Sequence, residues 1–162
     1  MNEWYDIVSK ALWCGFASLG FGVLFNTPPR TLLAIWSGGF LAGFAKFTSL
    51  QIIPGSGAIL GSFIGAVLVG ITSIPVAHLR HVPPMIFAIP SVIPLVPGVF
   101  AYRTMLGLMK LTGNIGSDYS QILSETIHNG VITLFVILAL SLGVTVPMYA
   151  SSHDSDRMNR RK

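Results

Sequence analysis

Five apolar stretches, each close to the about 20 residues that a helix needs to cross a hydrocarbon core, dominate this sequence: Ile7 to Phe25, Thr31 to Leu50, Gly57 to Leu79, Pro84 to Leu111 and Thr126 to Tyr149. None shows the strict polar–apolar alternation of a barrel strand. A helix rises 1.5 Å per residue, so stretches of this length match a core roughly 30 Å thick. In hydrocarbon an unpaired backbone N–H or C=O costs several kcal/mol, and a helix satisfies these groups within one segment. Composition points the same way, with 52% apolar and 10% charged residues, where soluble domains carry about 25% charged. The expected fold is all-α: a polytopic transmembrane helix bundle of about five segments, with residues 1–150 as the transmembrane domain and 151–162 as a basic cytoplasmic tail.

The connectors are short. Asn26-Thr27-Pro28-Pro29-Arg30 and His81-Val82-Pro83-Pro84 put proline ahead of an apolar run, where its missing N–H and fixed φ suit a helix start. Ile53-Pro54-Gly55-Ser56-Gly57 reads as a turn, and Thr112 to Glu125 as the longest polar loop. Arg30, Arg80 and the tail cations Arg157, Arg160, Arg161 and Lys162 fall on one side of a five-span chain; Glu3, Asp6, Asp118 and Glu125 fall on the other. The positive-inside rule then places the N-terminus outside and the C-terminus in the cytoplasm, in a multi-pass protein of the plasma (inner) membrane. Four crossings remain if one segment is re-entrant. Lys10, Lys46 and Lys110 lie near the outer ends of their segments and read as snorkelling anchors.

Several chemistries are excluded. The basic tail is a topology signal, so no nucleic-acid partner is expected. Cys14 is the single cysteine, no phosphate-binding glycine loop ending in Lys-Ser/Thr occurs, and no Asp or Glu lies deep in an apolar run. His78 and His81 flank Arg80 without a nearby acid or cysteine. No metal, cofactor or enzymatic activity is expected. The acidic N-terminus does not resemble a cleaved leader.

Small residues recur at helical spacing in Gly39-x3-Gly43 and in Gly57-x3-Gly61-x3-Gly65. Such faces let membrane helices approach closely, and these five glycines are expected to be packing positions.

The fourth stretch contains Ile89-Pro90-Ser91-Val92-Ile93-Pro94-Leu95-Val96-Pro97-Gly98. Prolines at 90, 94 and 97 remove three donors, so the segment is expected to break near Pro94 to Gly98. Broken helices at bilayer depth occur where protein or a water-filled cavity receives the freed peptide groups, and transporters build binding sites this way. A half-helix starting near Val99 would aim N–H groups at a carboxylate. Tyr102 and Arg103 follow. A guanidinium in the membrane needs a cavity, an anion or the interface, so Arg103 is either a carboxylate clamp or a snorkelling residue. Glu125, His128 and Asn129 open the fifth stretch as a helix start with acid favoured by the dipole, or as a proton-handling group.

The run Gly20-Phe21-Gly22-Val23-Leu24-Phe25-Asn26-Thr27-Pro28-Pro29-Arg30, then Ile93-Pro94-Leu95-Val96-Pro97-Gly98 and Tyr102, resembles the threonine/serine exporter family, in particular the small subunit of its split two-component form. Asn129 and Ser141-Leu142-Gly143 fit as well. The resemblance implies a subunit of a secondary-active exporter of small carboxylate-bearing metabolites, threonine/serine or a dicarboxylate such as succinate, working with a larger membrane subunit. It carries over Asn26, Pro28, Arg30, Pro94, Pro97, Gly98, Tyr102 and Asn129 as motif positions; Arg103 stands outside that pattern. The expected substrate-binding residues are Pro94, Pro97, Gly98, Tyr102, Arg103 and Asn129. The competing reading is a non-transporting scaffold that stabilises a transporting partner.

Overall fold

A computed structural model describes the backbone of residues 2–52, 57–113 and 119–159, and side-chain surroundings for 3–52, 57–113 and 119–150. The described residues are helical with short turns and no strand: α1 (Asn2–Leu24), α2 (Leu32–Ile52), α3 (Gly57–Arg80), α4 (Met85–Val92), α5 (Gly98–Gly113) and α6 (Tyr119–Asn159). One 3-10 turn, Pro29–Thr31, precedes α2, and another, Ile93–Leu95, follows α4. The expected turn at 53–56 and the tail cations Arg160, Arg161 and Lys162 lie outside the described residues, as does Asp118.

Local chemistry sets the helix ends. After α1, Asn26 takes φ 55°, a left-handed conformation that asparagine tolerates, and the Thr27 hydroxyl donates to the Gly22 carbonyl at 2.8 Å. After α3, His81 takes φ 54° and Pro83 and Pro84 prevent continuation. The polar loop is shorter than the sequence suggests, because α5 runs to Gly113 and α6 begins at Tyr119. Ser124 and Glu125 thereby join a helix. The tail is likewise helical through Asn159.

Three helices, α1, α3 and the Tyr119–Ala150 part of α6, are long and apolar enough to cross a membrane; the pair Met85–Leu95 and Gly98–Gly113, bent by 59°, makes a fourth if it is one span. The remaining stretch, α2, has 21 residues, or roughly 31 Å at 1.5 Å per residue, and carries Lys46 among glycines and hydroxyls. Large apolar side chains point outward along the bundle, among them Trp13, Leu33 and Leu79. In water such a surface would drive aggregation; in lipid it is solvated.

The interior is built from small residues. α2 packs on α1 and α3, and α3 on α6. A Cβ on Gly39 would strike Ser18 of α1, and one on Gly43 would lie 2.8 Å from Cys14 Cβ. One on Gly61 would lie 3.0 Å from the Lys46 carbonyl, and one on Gly65 would lie 2.7 Å from both the Ala42 carbonyl and Leu95 Cδ2. Gly57 differs from this expectation. It is exposed at the start of α3, a Cβ there would meet nothing within 4 Å, and its φ of 64° gives it a conformational role instead. The core proper gathers Ala42, Ala66, Val69, Ala88, Leu95, Val136, Leu140 and Val144.

Candidate functional site

The fourth stretch breaks where Pro94 and Pro97 fall, and not at Pro90. α4 continues through Pro90 and ends at Val92; Ile93–Leu95 forms one 3-10 turn, Val96 is extended at φ −60° and ψ 133°, and α5 starts at Gly98. A single proline removes one ladder bond, which a packed helix can tolerate, as α3 does at Pro75 and α6 at Pro147. Two prolines three residues apart leave no turn with its bonds intact.

Two carbonyls at the break, those of Ser91 and Leu95, are met by side chains from other helices. Ser91, buried on α4, places its hydroxyl 2.7 Å from the Phe87 carbonyl and 3.2 Å from the Ile35 carbonyl of α2. Ser18 of α1 reaches the Ser91 carbonyl at 3.4 Å. The Leu95 carbonyl lies beyond the start of the α5 ladder, and Lys46 of α2 donates to it at 2.8 Å. Lys46 therefore turns inward to the break, whereas the sequence reading sent it to the interface. Leu95 and Pro97 are buried, while Gly98 opens onto space with nothing within 4 Å of a built Cβ.

A different place gathers the charges. Between α5 and α6 lies a cleft of about 500 Å³ lined by Arg103, Leu106, Gly107 and Lys110 on one wall and by Ile122, Glu125, Thr126, His128 and Asn129 on the other. Its floor is a close crossing: Gly107, the one buried residue of α5, receives the Thr126 side chain, whose hydroxyl donates to the Ile122 carbonyl at 2.6 Å. Further along, a Cβ on Gly130 would lie 3.3 Å from Thr104 Cγ2. Gln121 donates to the Glu125 carboxylate at 3.2 Å, and the Asn129 amide donates to the Glu125 carbonyl at 2.8 Å. Arg103, Lys110 and His128 have no ion pair or hydrogen bond among the described residues. They present to the cleft donors that no described residue takes up.

The expected site residues thus divide. Arg103 and Asn129 face each other across the cleft; Pro94, Pro97 and Gly98 shape the break, and Tyr102, 64% exposed, is absent from the cleft wall. Lys110, Glu125 and His128, read from the sequence as interfacial groups, join the cleft. The pairing had a sequence signal: Arg103 and Asn129 stand equally far from Gly116, as two arms of a helical hairpin would place them.

The cleft is of a size typical of small-molecule sites, which run about 300–1,000 Å³. It sets cations opposite a carboxylate in a protein whose surface suits lipid, an arrangement able to hold a small charged solute and without an evident nucleophile.

No solved structure matches this chain. An uncharacterized protein of Haemophilus influenzae (strain Rd) is 25% identical over 146 residues, covering 88% of this chain and 46% of that relative, so the chain spans about half the relative's length. The family model of the threonine/serine exporters, ThrE, matches residues 10–150. With nearly the whole helical bundle, break and cleft included, falling inside that match, the chain belongs to the threonine/serine exporter family of membrane transporters.

Proposed function

We propose that this chain is one subunit of a secondary-active exporter of small carboxylate-bearing metabolites and that the α5–α6 cleft receives the solute. The observation that carries the reading is the opposition of Arg103 and Lys110 to Glu125 and Asn129 across about 500 Å³. Arg103 holds the carboxylate, since a guanidinium fork matches its two oxygens and no protein acid pairs with it among the described residues. Glu125 faces the ammonium of an amino acid such as threonine or serine. Pro94, Pro97 and Gly98 act by setting the direction of α5.

A dicarboxylate such as succinate is the second reading, favoured by two cations, Arg103 and Lys110, on the α5 wall. The relative's double length supports a second, larger membrane subunit that completes the pathway, with Tyr102 on the face it covers. Charge asymmetry supports an N-terminus outside and a C-terminus in the cytoplasm of the plasma (inner) membrane.

Efflux of labelled threonine, serine and succinate from cells with the native complement of subunits tests this. Arg103→Gln is expected to lower export roughly thirtyfold, the equivalent of about 2 kcal/mol for a hydrogen bond to a charged group. Glu125→Gln is expected to impair amino acids and spare succinate if the solute is zwitterionic, and to favour succinate if it is a dicarboxylate. Wild-type export by a correctly inserted Arg103→Gln chain would refute the cleft assignment.

A further inference from the structure

Lys46 lies outside the cleft and is a cation within a largely apolar helix, turned toward the break. It sits on α2, six residues before the helix end, with its stem beside Gly61 of α3 and its ammonium 2.8 Å from the Leu95 carbonyl. No acid pairs with it among the described residues, so one of its three donors is engaged there. An ammonium in apolar surroundings is costly and is kept where it finds a partner. A glutamine would offer a neutral donor on a shorter stem without that cost.

The position explains the choice. α4 packs against α1, α2 and α3, whereas the one substantial neighbour of α5 among the described residues is α6, and Gly107 is its one buried residue. The chain passes from a packed body to an arm held on one side, through the extended Val96 and a bend of 59°. Lys46 grips the last residue of the body side of that hinge. A charge-assisted bond there is stronger than a neutral one and reaches across from a different helix.

We propose that Lys46 is a positioning residue for transport: by holding the Leu95 carbonyl it fixes the root of α5, so that the arm closes the cleft against α6 at Gly107 and Gly130. The proposal rests on the reading of that cleft as the solute site. Lys46 touches no solute; it acts through the hinge.

Two readouts on the full chain in its native membrane separate this from a purely structural role and from failure of the cleft reading. The first is disulfide formation between Thr104→Cys and Gly130→Cys in a Cys14→Ala background, a pair at which a Cβ on Gly130 would lie 3.3 Å from Thr104 Cγ2 and 3.8 Å from its Oγ1, so that the two side chains meet across the helices. Lys46→Met is expected to slow crosslinking about fivefold or more, and Lys46→Arg to stay within about twofold of the unsubstituted chain. The second is efflux: Lys46→Met is expected to lower the maximal rate about tenfold with little change in half-saturation, at equal amounts of inserted protein. Crosslinking at the unsubstituted rate, or normal efflux despite slow crosslinking, would overturn the proposal. So would losses that merely track the amount of inserted protein. Should Lys46→Met fail to insert, Lys46→Gln, which keeps a neutral donor, is read the same way. If the unsubstituted chain exports none of the three solutes, the cleft reading falls and crosslinking alone decides the hinge role of Lys46.

Discussion

α3 and the α4–α5 pair each carry proline in an apolar run, yet one is an intact helix and the other is bent by 59°. α3 keeps its ladder around Pro75 and buries Gly61, Ser62, Gly65, Ala66, Val69, Gly70, Ser73 and Ala77 between α2 and α6. Beyond Pro94 and Pro97, α5 buries Gly107 alone. The contrast teaches that proline number and spacing decide whether a helix breaks, while its packing decides how firmly the pieces are held. α3 is packed on two sides; α5, past the bend, is packed on one.

Substitutions at paired positions can break that contrast. The largest effect is expected for Gly65→Leu, because its side chain would drive into the Ala42 carbonyl and Leu95, 2.7 Å from a mere Cβ. Overpacking of this kind costs about 1–3 kcal/mol and more where backbone is struck. Thermal unfolding in detergent should show loss of the folded fraction, and a wild-type transition would contradict this packing of α3. Next comes Pro97→Ala, which restores an N–H and removes the ring at the bend. The angle between α4 and α5, read by spin-label distances, should fall and export should drop about threefold to tenfold, whereas Pro75→Ala in α3 should change neither. Equal behaviour of the two would mean that Pro97 is an ordinary kink. The smallest effect belongs to Gly98→Leu. Its Cβ meets nothing within 4 Å, so a stability change below about 1 kcal/mol is expected.

Sequence reasoning reached the helices, the break and most glycine contacts because each follows from one-dimensional rules: length against bilayer thickness, proline spacing, and small residues four apart. Gly57 departs from the expectation because spacing alone does not show a positive φ, which its place at the start of α3 requires. Sequence reasoning misassigned Lys46 because a lysine six residues from a helix end can snorkel or fold back, and the choice depends on a carbonyl freed by a different segment. Pro94, Pro97 and Gly98 stand at the bend and Tyr102 on an exposed face of α5, outside the lining of the cleft. Beyond the bend, Arg103 lines the cleft between α5 and α6. Arg103 and Asn129 were both named, but their meeting required pairing the two arms of the α5–α6 hairpin.

The most direct test of the account asks whether the α5–α6 cleft is a wet, solute-protected path. Asn129→Cys and Leu138→Cys, each in a Cys14→Ala background, would be exposed in native membranes to a charged, membrane-impermeant thiol reagent. Asn129 lines the cleft and Leu138 lies on the apolar side of the same helix. The account predicts rapid labelling at 129 that threonine, serine or succinate slows, and no labelling at 138. Labelling at 129 that is absent, or indifferent to all three solutes, would contradict it.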